Sequence, residues 1–168
     1  MIGALLRGRE AGLVVMILLV VAVVGGLAPR FLDWETLRIV ALAVPLVLIG
    51  AMGQMMVLVA RHVDLSQGSI LAFSSIVAGM MFRDLPELPV VAGVAVAILL
   101  GAALGLVNGL LVVLFRLPSI IVTLGTLSLY RGLVFLVSDA RQVDPQFIPR
   151  GLISMSQTSP VLGIPWIV

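Results

Sequence analysis

PVVAGVAVAILLGAALGLVNGLLVVLF, residues 89–115, holds one polar side chain, Asn108, and no charge. About 20 apolar residues suffice for a helix to cross the hydrocarbon core of a bilayer, so this run spans one with residues to spare. The rest of the chain has the same character. Hydrophobic residues make up 61% of the 168 and charged residues 11%, with a mean hydropathy of +1.27. A soluble domain has roughly 45–50% apolar and about 25% charged residues. This chain cannot cover its own surface with polar groups, so lipid is its solvent. Backbone groups in lipid must be satisfied internally, and with no alternating strand pattern the solution is an all-α, polytopic transmembrane bundle.

Outward from that run, residues 11–28 form a first uncharged span, bounded by Pro29-Arg30 and by Trp34 as an interfacial anchor. Its Leu, Ile and Val residues favour insertion by roughly 3–7 kcal/mol as an upper bound. Residues 39–60 are a second span, with Pro45 and Gln54 inside it. Residues 65–82 are a third, short and sprinkled with serine, and the charged loop Arg83-Asp84-Leu85-Pro86-Glu87 joins it to 89–115. Arg116-Leu117-Pro118 ends that fourth span, and 119–137, SIIVTLGTLSLYRGLVFLV, is the fifth. Residues 138–159 read as a polar loop punctuated by Pro and Gly. The apolar stretch 160–168 is too short to cross; it is either the start of a sixth span or a segment lying at the interface. Arginine counts on the two sides nearly balance, and the Arg7/Arg9 pair before the first span favours an inside N-terminus. The run 11–28 is longer than a signal-peptide core and no Ala-x-Ala site closes it.

Composition also bounds the chemistry. All ten basic residues are arginine, spread singly, so no basic run exists to track a nucleic-acid backbone. There is no cysteine, hence neither disulfides nor thiolate chemistry, and one histidine, His62, cannot make a metal cluster. No nucleophile–base pair, phosphate loop or paired carboxylate is present. The reading is of a non-enzyme with no catalytic residue, metal or cofactor.

Three places carry polarity where lipid discourages it. RHVDLSQGS, residues 61–69, puts Asp64 three residues before Gln67, the form of a capping box opening the third helix. Gly68 and Ser69 let a backbone or a polar solute come close. Two readings stand: a helix cap at a membrane-edge turn, with Arg61 and Asp64 pairing locally, or a helix broken within the membrane beside a translocation path. In the fifth span, Ser119, Thr123, Thr126 and Ser128 supply hydroxyls and Gly125 thins the helix. Each hydroxyl either bonds back to the preceding turn or a neighbouring helix, or lines a polar path. Arg131 in the same span costs about 2.5–3.5 kcal/mol on insertion scales, so it snorkels, faces water or pairs, with Asp139 as a candidate. In the fourth span Asn108 is helix–helix glue or a ligand group, and Gly101, Gly105 and Gly109, four apart, form a face for close helix packing.

These stretches resemble one family. RHVDLSQGSILAF is similar to a signature of the permease subunits of ribose-type monosaccharide ABC importers. LGLVNGLLVVLFRLPS and LPSIIVTLGTLSLYRGLVFLVS resemble two further segments of those subunits, in the same order and at like separations. The resemblance covers most of residues 10–168 and places the signatures on Asp64, Leu65, Ser66, Gly68 and Ser69, on Asn108 and Gly109, and on Pro118, Thr123, Leu124, Gly125, Arg131 and Gly132. Arg61 and His62 stand where small residues are usual, and Gln67 where an apolar one is. The ending Tyr130-Arg131-Gly132 is most similar to the rhamnose and autoinducer-2 branches and leans to rhamnose.

What the resemblance implies is a multi-pass protein of the bacterial inner membrane. Two permease subunits, alike or different, form the path; a periplasmic binding protein delivers sugar and cytoplasmic ATPase subunits drive alternating access. Family permeases run to about twice this length and dock the ATPase through their later half. This chain therefore resembles an N-terminal half, expected not to support uptake alone. Two other functions remain open: a secondary transporter resting on Asp64, His62 and Arg131, or a non-transporting subunit assembling through the glycine face.

Overall fold

A computed structural model of the chain describes residues 10–157. All of its regular structure over those residues is helical: α1 (Glu10–Leu27), a 3-10 turn (Pro29–Leu32), α2 (Trp34–Val59), α3 (Gln67–Asp84), α4 (Val90–Phe115), α5 (Ser119–Ser138), a second 3-10 turn (Pro145–Phe147) and α6 (Arg150–Gln157). The chain divides into two compact units, Met1–Leu46 and Val47–Val168, so α2 runs through the boundary. Pro45 lies beside it; a proline inside a helix lacks the N–H that would bond back one turn.

In the first unit α1 stops at Pro29, which opens the 3-10 turn. Leu32 folds over Gly25, where an added Cβ would lie 2.9 Å from its Cδ1, so a larger residue there would make the leucine side chain shift. Thr36 Oγ1 donates to Arg30 O at 3.0 Å and fixes the entry to α2.

The second unit is built around α3, which packs against both α4 and α5. The interior it creates is polar. Among the described residues the buried polar side chains are Ser66, Ser69, Ser74, Asn108, Thr123, Thr126 and Ser138, against Ala78, Phe82, Val122 and Tyr130 as the buried apolar ones. The outside is apolar: Val91, Leu99, Val113 and Leu136 are each exposed by more than two thirds of their surface. A protein in water buries its large aliphatics. Lipid removes that driving force, and small or hydrogen-bonding residues take the contacts instead.

Glycine sets the α3–α4 approach. A Cβ on Gly93 would overlap the Phe82 ring, and one on Gly101 would sit 3.5 Å from Ser74 Oγ. A Cβ on Gly105 or Gly109 would meet nothing within 4 Å. On the other flank, Val143 covers Gly79 of α3, 3.2 Å from where a Cβ would be.

Three helix ends are closed by non-glycine residues in the left-handed region. Arg61 (φ 61°) follows α2, Arg116 (φ 52°) follows α4 and Asp139 (φ 51°) follows α5. At α2 the two bonds of a Schellman motif form, His62 N to Val57 O at 3.1 Å and Arg61 N to Leu58 O at 2.9 Å.

The structure differs from the sequence reading at two helix starts, in one further helix and in the span count. Helix α2 starts at Trp34 rather than 39, because Asp33 O accepts from Leu37 N and adds a first turn. Helix α3 starts at Gln67 rather than 65, for a reason given below. Residues 138–159 are not all loop, since α6 follows Pro149, whose carbonyl accepts from Leu152 N and Ile153 N. The five-span count is only roughly matched. Trp34–Val59, Val90–Phe115 and Ser119–Ser138 are long and apolar enough to cross, Ala11–Leu27 is a shorter apolar helix, and α3, with Gln67 at its start and Arg83 and Asp84 at its end, falls below that mark. The stretch 160–168 lies outside the described residues.

Candidate functional site: a cleft at the break before α3

Between α2 and α3 the chain does not turn directly. Residues Val63–Ser66 run as an unwound segment held by three other elements. Val63 N donates to Ser119 Oγ at 3.1 Å, and Thr123 Oγ1 lies 3.3 Å from Val63 O and 2.8 Å from Ser119 O, all at the start of α5. Asn108 Nδ2 of α4 donates to Ser66 Oγ at 2.7 Å. Gln67 Nε2 reaches α2 and donates to Gly50 O at 2.8 Å, over the open side of Gly50 and Gly53. Unwound backbone in a membrane protein is tolerated where protein covers it, and here α2, α4 and α5 each contribute a hydrogen bond to the segment or to Gln67 beside it.

The capping box does not form. Asp64 Oδ1 accepts from Ser66 N at 2.8 Å and from Ser66 Oγ at 2.6 Å, a turn closed two residues on. Both of its bonds are thereby used upstream of the helix. Ser66, fully buried, becomes the N-cap residue without a side-chain cap, and Gln67 points away to α2. Asp64 does not pair with Arg61 either: among the described residues the ion pairs are Arg38–Glu35 and Arg83–Asp84, both short-range and partly exposed. Such pairs contribute little.

From Asp64 the hydrogen bonds continue inward. Ser66 Oγ donates to Asp64 and accepts from Asn108; Asn108 Oδ1 in turn accepts from Tyr130 OH at 3.2 Å, and that hydroxyl also lies 3.2 Å from Leu104 O. Ser69 Oγ closes the corner by donating to Ser66 O at 2.7 Å. Each of these donors is committed inside protein, where an unmade bond costs about 1–3 kcal/mol.

Beside this chain opens a cleft of about 340 Å³. Asp64, Asn108, Ser119 and Thr123 contribute its polar side, Gly105 and Gly109 let it approach the α4 backbone, and aliphatic residues of α2 and α4 complete it. His62 lines it too. Of the residues singled out from sequence, the structure brings Asp64, Ser66, Ser69, Asn108 and Thr123 into one network. Thr126 is buried below them, 3.4 Å from Thr123 O. Gly68, Gly125 and Arg131 are exposed on outer faces, and Arg131 forms no ion pair with Asp139 among the described residues. Tyr130 was missed as a site residue, although a tyrosine hydroxyl in an apolar helix needs a partner and so points to one. Gly93 was missed as well; it extends the Gly101/Gly105/Gly109 stripe toward the helix start.

A bundle with a polar interior, a lipid-facing exterior and a cleft at a broken helix is the architecture of a membrane permease. Residues 36–162 match the family described as branched-chain amino acid transport system / permease component, and the chain belongs to that family. It is 34% identical over 153 residues to the autoinducer 2 import system permease protein LsrC of Enterobacter sp. (strain 638), covering 91% of this chain and 43% of that protein. It is 33% identical over 159 residues to LsrC of Salmonella typhi, covering 94% and 44%. With LsrC of Photorhabdus luminescens the identity is 30% over 138 residues, covering 82% and 41%. The chain thus spans less than half the length of these relatives. No solved structure matches. The resemblance to ribose-type importer permeases is thereby shown, and the chain is a multi-pass inner-membrane protein.

Proposed function

We propose that this chain supplies part of the solute path of an ATP-driven importer for a small polyhydroxylated solute of the autoinducer-2 type. The observation that carries the reading is the convergence of three signature stretches on one cleft. Asp64 and Ser66, Asn108, and Ser119 with Thr123 come from segments far apart in sequence, and every one of them meets the cleft or the residue behind it. A path through lipid needs polar groups that are held rather than freely hydrated, and the broken segment provides them. The partners of this reading are a second permease subunit, cytoplasmic ATPase subunits and a periplasmic binding protein. Rhamnose, toward which the Tyr130-Arg131-Gly132 ending leans, is not the solute named for the relatives above; their names favour autoinducer 2.

The test is uptake by cells that carry the complete gene with its neighbours, offered labelled autoinducer 2 or rhamnose. Uptake should be abolished by depleting ATP, survive collapse of the proton gradient, and fall at least tenfold in Asn108→Leu. Uptake that follows the proton gradient would instead establish a secondary transporter. Unchanged uptake in Asn108→Leu, with assembly lost on blocking the Gly101/Gly105/Gly109 face, would establish a purely assembling role. Proteoliposomes containing this chain alone should accumulate neither solute.

A further inference from the structure

Asp64 is divided between two tasks. Its Oδ1 takes both bonds from Ser66 and holds the turn. Its Oδ2 accepts no hydrogen bond among the described residues, no cation lies within ion-pair distance of the carboxylate, and the residue is only half-buried, on the wall of the cleft. A carboxylate used only as a structural cap would have its charge shared by backbone N–H groups of the following helix. Here the helix begins beyond it, and one oxygen is left for whatever enters.

From this we infer that Asp64 is a charge-selective residue of the path: its free Oδ2 accepts hydrogen bonds from hydroxyl donors of a neutral solute and its uncompensated negative charge rejects anionic, phosphorylated forms. The inference rests on the reading of the cleft as part of a solute path. Two adjacent hydroxyls can share one carboxylate oxygen, since it offers two lone-pair directions. A phosphate offers that oxygen no donor when ionised and meets like charge in a site where water is partly replaced by Val and Gly surfaces, so the repulsion is screened less than in bulk water. His62 is the other ionisable residue on the cleft wall, and its contribution is separable by substitution.

These 168 residues hold no cysteine, so a single thiol introduced among them reports on the cleft once labelling of the importer without that thiol is subtracted. Val112 of α4 lines it together with Asp64. Val112→Cys, in the complete importer in native membranes and in a His62→Gln background, is labelled with a cationic, an anionic and a neutral methanethiosulfonate reagent of similar size. With Asp64 present the cationic reagent should react roughly tenfold or more faster than the anionic one, relative to their rates with a free thiol. Asp64→Asn keeps an oxygen that accepts both Ser66 bonds while deleting the charge, and it should bring the ratio close to one. Asp64→Glu should keep most of it. A ratio near one in the parent, a ratio unchanged in Asp64→Asn, or a thiol that none of the three reagents reaches overturns the inference. A parent ratio near one overturns the inference even if Asp64→Asn fails to fold. Solute uptake is scored separately. A charge-selective cleft in a protein that moves no solute would retain the electrostatic assignment and sink the transport reading.

Discussion

Helices α3 and α4 lie side by side and are made of opposite material. Helix α4 is apolar along its whole length save Asn108, and it presents most of that surface outward. Helix α3 carries serines and glycines and turns several of them inward: Ser69, Ser74, Ala78, Gly79 and Phe82 are its buried positions, while Gly68 and Ser75 are exposed. In water the first would be the core and the second the surface. In lipid the roles exchange, because apolar side chains gain nothing by leaving an apolar solvent, whereas a polar one gains a partner by turning inward. Asn108, the lone polar group of α4, is consistent with this: it is 5% exposed and bonds at both ends of its amide.

The sharpest way to break the comparison is Asn108→Leu, which gives α4 uniform apolarity. Ser66 Oγ loses a donor and Tyr130 OH an acceptor, both buried, so the loss should be about 2–4 kcal/mol, since two bonds of about 1–3 kcal/mol are coupled through one side chain. Reversible unfolding in mixed micelles checks it; a change below about 1 kcal/mol would mean the network is incidental to the α3–α4–α5 packing.

Next in size is Gly93→Ala. The added Cβ falls inside the Phe82 ring, which is 5% exposed and hemmed in, so the pair must separate or the ring must turn. Overpacking of this kind costs about 1–3 kcal/mol. Gly105→Ala, on the same stripe with nothing within 4 Å, should cost less than about 0.5 kcal/mol. Combining Gly93→Ala with Phe82→Leu sharpens the test: recovery of stability in the double variant, relative to the sum of the singles, locates the clash. Equal effects at Gly93 and Gly105 would show that the stripe acts through helix propensity alone.

Tyr130→Phe removes the far end of the network while keeping the ring. Asn108 Oδ1 and Leu104 O each lose one shared donor, and Leu104 O keeps its place in the helix ladder, so about 1 kcal/mol is expected.

How much of this was readable in advance follows from range. The runs of α1, α2, α4 and α5 are local: an apolar stretch of sufficient length is enough, and the fold class came with it. The start of α3 was misplaced because Asp64 and Gln67 have the spacing of a local capping pair, while Asp64 is taken up by Ser66 two residues on and Gln67 by Gly50 across on α2, the latter a matter of tertiary packing. Helix α6 was hidden by the Pro and Gly around it, which mark its ends rather than its absence. Family resemblance placed Asp64, Asn108 and Thr123 among the candidates, but neither spacing nor composition could say that Val63, Ser66 and Asn108 meet, because that depends on which faces of α4 and α5 turn toward the break. For the same reason Gly125 and Arg131 were indistinguishable in sequence from residues of the cleft, and they lie outside it.

The smallest effect tests the rule that polarity on α3 is always partnered. Ser74 is 6% exposed, and its Oγ has no hydrogen-bond partner, facing the open side of Gly101 across the α3–α4 contact. Ser66, on the approach to the same helix, is fully buried and bonds to both Asp64 and Asn108. If burial of a serine were favourable in itself, both should resist substitution. If partners decide, Ser66→Ala should cost about 1–3 kcal/mol, whereas Ser74→Ala should be neutral or stabilise by a few tenths, since it deletes an unmade bond and leaves a methyl at van der Waals distance from glycine. Unfolding of the two variants under one set of conditions separates the cases. A Ser74→Ala loss as large as that of Ser66→Ala would mean that its hydroxyl is bonded in the membrane, to water or to the Ile70 carbonyl one turn back, and that α3 holds a second satisfied serine.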